Sequence, residues 1–478
     1  MAKMPVRRCL VDGEWITTRK RIPNINPVNG ETIGQICEAD ATLVDRAVKA
    51  ARAARLGPWG ALTVVERAAV LRRIADGIAE RFDDFVVAEV QDTGRPIQQA
   101  RTHDIQRSIA RFRAFADLIN AMGDEVHESN GPDNAGLITY LQRKPLGVVA
   151  LIPAWNQPLL LLAASLAPAL AMGNCAVAKP SARTPSSATL LAEVIRKAGL
   201  PHGVFNLIHG HGPGSAGQFL AAHPDIDAIA FSGEAQTGAA VMQAVARGVR
   251  PVIFELGGKH ATVVCADADI DAALDSVLRS CFTHTGHACL GAAHVYIERP
   301  LYARFVAALQ ARCERLVPGY PQAPDVDLGP LISRDHRDTL LARITLAREE
   351  GATVLSGGTI PVFGDARDDG AHVLPTILAG LPETAYSLLG MPPGPVCHVA
   401  PFDADEEVIA RVNTRAGALA ASIWATKLAR AHRIAAGFVP GHVWINTPPT
   451  LNAHIPGTDG NRQTLDAFSA RSTVRVHL

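Results

Sequence analysis

An α/β architecture, with two units built on parallel sheets and a β-ribbon projecting from them, follows from three features of the 478-residue chain. Short apolar runs at 147–152, 175–178, 204–208 and 228–231 are separated by helix-length segments, the rhythm of parallel strands buried on both faces. The rhythm resumes at 261–264, 293–297 and 352–355, which requires a second unit of the same class. Two alternating segments, 137–143 and 472–478, have the pattern of exposed ribbon strands, whose open edges invite pairing with another subunit.

The N-terminus, Met1-Ala2-Lys3-Met4-Pro5-Val6-Arg7-Arg8, lacks the apolar core of an export signal. Residues 43–55 and 64–81 carry apolar side chains at helical spacing with Arg, Asp and Glu between them, as helices lying against a sheet do. The apolar run near 159–170 is broken by Ser165 and Pro168 and is not expected to span a bilayer. Hydrophobic residues make up 48% and charged residues 19%, enough for large cores in two or three domains. Lys+Arg and Asp+Glu both number 46, so no net field draws the chain to nucleic acid or a membrane surface, and a small molecule is the expected partner. The eight cysteines are scattered without a C-x-x-C pair and read as reduced thiols of a cytoplasmic protein.

Two local sequences carry chemistry. Cys289 lies in Thr285-Gly286-His287-Ala288-Cys289-Leu290-Gly291, and Glu255 in Phe254-Glu255-Leu256-Gly257-Gly258-Lys259. A thiolate adds to an aldehyde carbon directly, and a nearby carboxylate can later deprotonate the water that releases the acyl group. The plainer alternatives are a buried thiol and a surface or helix-capping carboxylate.

The ordered series Val11-Asp12-Gly13-Glu14-Trp15, Asn26-Pro27, Asp92-Thr93-Gly94-Arg95-Pro96, Trp155-Asn156-Gln157-Pro158, Lys179-Pro180-Ser181, the Glu255 and Cys289 stretches, Gly394-Pro395-Val396 and Val443-Trp444-Ile445-Asn446 resembles the aldehyde dehydrogenase superfamily. Within it, His103-Asp104-Ile105-Gln106-Arg107, Phe231-Ser232-Gly233-Glu234 and Pro395-Val396-Cys397-His398 are similar to the 2-hydroxymuconic and 2-aminomuconic semialdehyde dehydrogenases of aromatic-ring catabolism. The resemblance implies a Rossmann-like cofactor domain over 1–124 and 147–256, a catalytic domain over 257–445, and an oligomerisation arm over 125–146 and 464–478 of a homodimer or homotetramer. It implies Cys289 as nucleophile, Asn156 as oxyanion donor and Glu255 as the base for thioester hydrolysis. It also implies NAD as cofactor, contacted by Ile152, Trp155, Lys179, Ser181, Ser232, Gly233, Glu234 and Leu256. Arg107, His454 and His287 are the implied substrate contacts, and no metal is implied.

Several positions depart from that family. Ala182 stands where a carboxylate usually grips the adenosine ribose, and Met391 and Pro393 stand at the places of a ribose-binding Glu and an aromatic wall. Residues 455–463 replace the family's glycine-rich loop at the substrate mouth. His284, His287 and His294 replace Asn, Gln and Arg around the nucleophile, as packing groups, proton shuttles or, less fittingly for their spacing, metal ligands. Two readings follow from this sequence: oxidation of a carboxylate-bearing semialdehyde to the acid, or a dinucleotide-independent role on the same scaffold, either a redox-neutral cysteine-dependent isomerisation, hydrolysis or cyclisation or that of a non-catalytic relative.

Overall fold

The computed structural model describes residues 4–129, 137–258, 260–414, 420–439, 441–449 and 461–477. In the first seven-stranded sheet, Val252–Leu256, Ala228–Gly233, Val148–Ile152, Cys175–Ala178 and Phe205–Leu207 run parallel in that order. The hairpin Cys9–Val11 and Glu14–Ile16 completes it in antiparallel sense. Every residue of Val148–Ile152 and Cys175–Ala178 is buried, as strands covered on both faces must be.

The cover comes from the helices expected of the amphipathic segments. Ala41–Leu56 is capped by Asp40, which accepts from the Leu43 N–H at 2.8 Å, and it buries Leu43, Val44, Ala47, Val48 and Ala51. Val64–Glu80 starts in a reciprocal cap between Thr63 and Glu66. The leucine-rich run forms Pro158–Ala171, a helix of 14 residues buried on almost every side, which explains its hydrophobicity without a bilayer. Among the described residues no helix is long and apolar enough to cross a membrane.

The second seven-stranded sheet orders Thr353–Ser356, Thr376–Ala379, Val396–Phe402, Ala292–Glu298, His260–Val264, Ala420–Trp424 and His442–Ile445. All pairs are parallel except the first. The sequence rhythm expects Thr353–Ser356 to run parallel too. The segment after it holds only the one-turn helix Ala366–Asp369, too little for a crossover, so the chain returns antiparallel. The two ribbon segments pair with each other, Ser469–His477 against Leu137–Pro145, and Val126–Ser129 covers the far side of the latter. Among the described residues the open edges therefore belong to Ser469–His477 and Val126–Ser129, while Leu137–Pro145 has none.

Buried histidines give this fold an acid limit. Burial pushes His209 and His260 down to about 3 and His372 down to about 4, so all three are neutral in the native state. An unfolded histidine binds a proton below about pH 6.5, so stability falls as pH drops from there toward the folded values, by about 1.4 kcal/mol per pH unit for each group. Asp92, raised to about 6 by burial, works in the opposite direction below pH 6. From these four groups alone the expected loss between pH 7 and pH 4.5 is about 6 kcal/mol, comparable to the whole stability of many domains. Urea unfolding midpoints across that range measure it, and a flat profile would contradict neutral buried imidazoles.

Candidate active site

Cys289 is set by a strained turn. The helix Ile270–Phe282 ends at Thr283, and the next three residues are left-handed, with φ of 57° at His284, 54° at Thr285 and 69° at Gly286. Side chains resist that region, so the turn is held from outside. The His284 N–H donates to Gln99 Oε1 at 3.0 Å, and Thr285 Oγ1 donates to the Gly329 carbonyl at 3.2 Å. Gly286 is required sterically as well, because a Cβ there would lie 1.9 Å from the Gly394 oxygen. The chain then turns through Cys289 into the strand Ala292–Glu298.

Accessibility singles out this sulfur. Cys289 is half-buried and lines a cleft of about 1880 Å³, whereas the other seven cysteines are buried. Burial pushes Cys9, Cys175, Cys265 and Cys313 up to about 12, which leaves them protonated and inert.

Asn156 and Glu255 line the same cleft. Asn156 follows the strand Val148–Ile152, and its Nδ2 donates to the His287 carbonyl at 2.8 Å, tying its loop to the turn that carries Cys289. A buried polar network holds that loop. Arg95 donates to the Asn156 carbonyl and is ion-paired with Asp104, whose Oδ1 accepts from Gln157 Nε2 at 3.0 Å. Glu89 Oε1 accepts from the Leu159 N–H at 2.9 Å. Arg95 is 4% exposed and Asp104 0%. Burial pushes the Arg95 guanidinium down to about 10 and the Glu89 carboxyl up. Asp104 reaches the network from the π-helical turn Ala100–Asp104, an irregularity that recurs at functional sites. Glu255 stands near the end of Val252–Leu256, in register with Ser232 on the neighbouring strand, and is exposed to the cleft.

The residues expected around a cofactor, Ile152, Trp155, Lys179, Ser181, Ser232, Gly233, Glu234 and Leu256, all line this cleft. Glu234 precedes the helix Ala235–Ala246 and makes no side-chain cap, so the first N–H groups of that helix face the cleft, an arrangement suited to an anion. A Cβ on Gly257 would meet only the Gly233 oxygen, at 3.9 Å, so the floor beside that helix end is open. Lys179 is buried, donates to the carbonyls of Pro180 at 2.9 Å and Gly210 at 3.3 Å, and is pushed down to about 8 by desolvation.

His336, from the helix Arg334–Glu349, has no counterpart in the sequence reading. Its Nε2 bonds the Pro393 carbonyl at 2.6 Å, and its ring meets Trp155 edge-on at 5.6 Å and His287 at 5.8 Å. These rings wall the cleft where Pro393 offers no aromatic group. No local motif marks His336, because only the packing of the second unit on the first brings it here.

On the substrate side the picture is mixed. His287 lines the cleft, is 8% exposed, packs edge-on to Trp155 at 4.7 Å, and among the described residues its buried Nε2 has no hydrogen-bond partner. Burial holds its imidazole well below the usual range, with His336 and Arg95 adding to the effect. Arg107 lies outside the cleft lining, on the helix Ile105–Ala121, half-buried, with its charge felt at His103 and His284. His454 lies outside the described residues. His284, His287 and His294 do not act as one cluster: His284 faces His103, His287 faces Trp155 and His336, and His294 stacks on Tyr296 inside the second sheet.

The family model for the Aldehyde dehydrogenase family matches residues 15–465. The chain is 46% identical over 480 residues to a 2-aminomuconic 6-semialdehyde dehydrogenase of Pseudomonas sp, covering 98% of each chain. It is 48% identical over 424 residues to a 2-hydroxymuconic semialdehyde dehydrogenase of Pseudomonas sp. (strain CF600), covering 89% of this chain and 87% of that one. Among solved structures it is similar to the NAD+ complex of an aldehyde dehydrogenase from Bacillus cereus, with a TM-score of 0.94, 30% identity, and coverage of 99% of this chain and 97% of the other.

Proposed function

The chain belongs to the aldehyde dehydrogenase family, and on that premise we propose that Cys289 attacks an aldehyde whose far end carries a carboxylate, a semialdehyde of the muconic type. The enzyme oxidises this aldehyde to the acid. The observation that carries the reading is the meeting of the one accessible thiol with Glu255 and the pinned Asn156 in a single cleft.

The hydride acceptor is a nicotinamide dinucleotide, NAD or its phosphorylated form. The cleft suits it: the helix end at Glu234 and the open floor at Gly257 accept a pyrophosphate, and Lys179 keeps one ammonium N–H uncommitted among the described residues. Trp155, His287 and His336 supply the wall of the nicotinamide end in place of the usual aromatic residue. When bound, the nicotinamide ring takes the hydride lost from the former aldehyde carbon.

This chain's own groups do the rest. The Cys289 thiolate adds to the aldehyde carbon, and the carbonyl oxygen becomes an alkoxide. The second N–H of the Asn156 amide and the Cys289 backbone N–H stabilise that charge, each worth about 3 kcal/mol in comparable sites. Loss of hydride leaves a thioester on Cys289. Glu255 removes a proton from water, the water oxygen adds to the thioester carbon, the C–S bond breaks, and the acid departs as Cys289 regains its thiolate.

Arg107 lies outside the cleft lining, but its charge reaches His284 beside the Cys289 turn, and its fork makes it our candidate for the carboxylate end of the substrate. The open edges of Ser469–His477 and Val126–Ser129 support a homo-oligomer.

Glu255→Gln tests the sequence of steps. A first burst of reduced dinucleotide should survive, while steady turnover falls by about 10²-fold or more and an acylated Cys289 accumulates in the mass spectrum. Steady turnover at the wild-type rate would remove Glu255 from the hydrolytic step.

A further inference from the structure

We infer that Gln99 is a positioning residue: its side-chain amide holds the left-handed turn before Cys289 and thereby sets the distance between the two donors that receive the aldehyde oxygen, the Asn156 amide and the Cys289 N–H. That role rests on the reading of Cys289 and Asn156 above and adds to it the group that fixes their spacing.

The turn needs an outside hold. Thr285 is β-branched and sits at φ 54°, between His284 at 57° and Gly286 at 69°. A left-handed conformation is an outlier for a β-branched residue and persists only where surrounding contacts impose it. His284 and Thr285 are 6% and 2% exposed, so water is a poor substitute for their hydrogen-bond partners. Among the described residues the His284 N–H has one acceptor, Gln99 Oε1 at 3.0 Å.

Gln99 is itself fixed from behind. Its Nε2 donates to the Asp327 carbonyl at 3.1 Å, and the Ile97 N–H donates to the Pro321 carbonyl at 2.8 Å. Asp327 is locked in turn, its N–H donating to the Val317 carbonyl at 2.9 Å and its Oδ2 accepting from the Val317 N–H at 3.0 Å. Thr285 Oγ1 donates to the carbonyl of Gly329, close after Asp327, so both ties on the turn end on one stretch of chain.

The same segment reaches the other donor. Gln99 closes the short helix Ile97–Gln99, and the π-helical turn Ala100–Asp104 follows without a break. Arg95 and Asp104, on either side of Gln99, hold the Asn156 loop through the Asn156 carbonyl and Gln157 Nε2. Residues 95–104 therefore grip the Asn156 loop and the Cys289 turn at once. Releasing the Gln99 amide frees the second while leaving the first in place, and oxyanion donors tolerate little displacement.

Gln99→Met in the full-length protein removes both side-chain bonds at nearly constant size. Its kcat for aldehyde oxidation and its first-turnover burst are expected to fall by about 10²-fold, while the dinucleotide dissociation constant stays within about twofold. Alkylation of Cys289 by iodoacetamide, followed by peptide mass spectrometry, develops no oxyanion and should stay within about threefold of the wild type. Gln99→Glu keeps an acceptor for the His284 N–H and should hold kcat within about fivefold of the wild type. A kcat loss below about tenfold in Gln99→Met, a parallel loss of dinucleotide binding, no recovery in Gln99→Glu, or alkylation that falls in step with kcat overturns the spacing role and leaves the dehydrogenase reading intact. Should Gln99→Met fail to fold, Gln99→Glu decides alone: kcat within about fivefold supports the role, and a larger loss overturns it. Wild-type protein with neither a burst nor alkylation at Cys289 overturns the dehydrogenase reading, and the spacing role with it.

Discussion

Cys289→Ala is expected to lower kcat for aldehyde oxidation by about 10⁴-fold or more, the scale seen when a covalent nucleophile is removed. The size of the effect follows from the absence of a substitute. Cys281 also lines the cleft but is 2% exposed, and the remaining thiols are buried away from it. Folding should hardly change, because Cys289 is half-buried and stands in a turn rather than in a core. The variant should therefore melt within a degree or two of the wild type and still bind the dinucleotide. Retention of more than a tenth of the activity would move the nucleophile elsewhere.

Arg95→Met carries the other large effect, on stability and catalysis together. The substitution leaves Asp104 charged at 0% exposure and removes the donor to the Asn156 carbonyl. Breaking a buried ion pair from one side typically costs about 3–5 kcal/mol, and misplacing a catalytic donor by about an ångström can cost 10²-fold in rate. Pairing it with Asp104→Leu should recover part of the stability, since it removes the stranded Asp104 carboxylate but leaves Gln157 Nε2 and Glu89 without these partners. The rate should stay low in the double variant, because the Asn156 loop still lacks its anchor. Urea unfolding and kcat/KM of the two variants separate these effects. A loss below about 1 kcal/mol in Arg95→Met would show that the network does not hold the loop.

Much of this protein was legible in its sequence because the signals are local. Apolar runs such as 148–152 must be buried on both faces, and spacing such as that of Leu43, Val44, Ala47 and Val48 sets one helical face inward. The motifs around Cys289, Asn156 and Glu255 single out candidate reacting groups by their neighbours in the chain, and the structure places those three on the lining of one cleft.

Other features depend on contacts between distant segments and have no local signature. The antiparallel return of Thr353–Ser356 depends on what its loop fails to contain. Arg95, Asp104 and Glu89 read as ordinary helix or turn charges until folding pairs Arg95 with Asp104 and sets Glu89 against the Leu159 N–H beside the Asn156 loop. His336 enters the site from a helix of the second unit, and His294, near Cys289 in sequence, turns inward to Tyr296. The sequence by itself determined the class of fold and singled out the candidate reacting groups, because burial periodicity and short motifs are properties of neighbours along the chain. The tertiary structure alone decided which charges surround those groups and which thiol reaches solvent, because burial and Coulomb fields are set by neighbours in space.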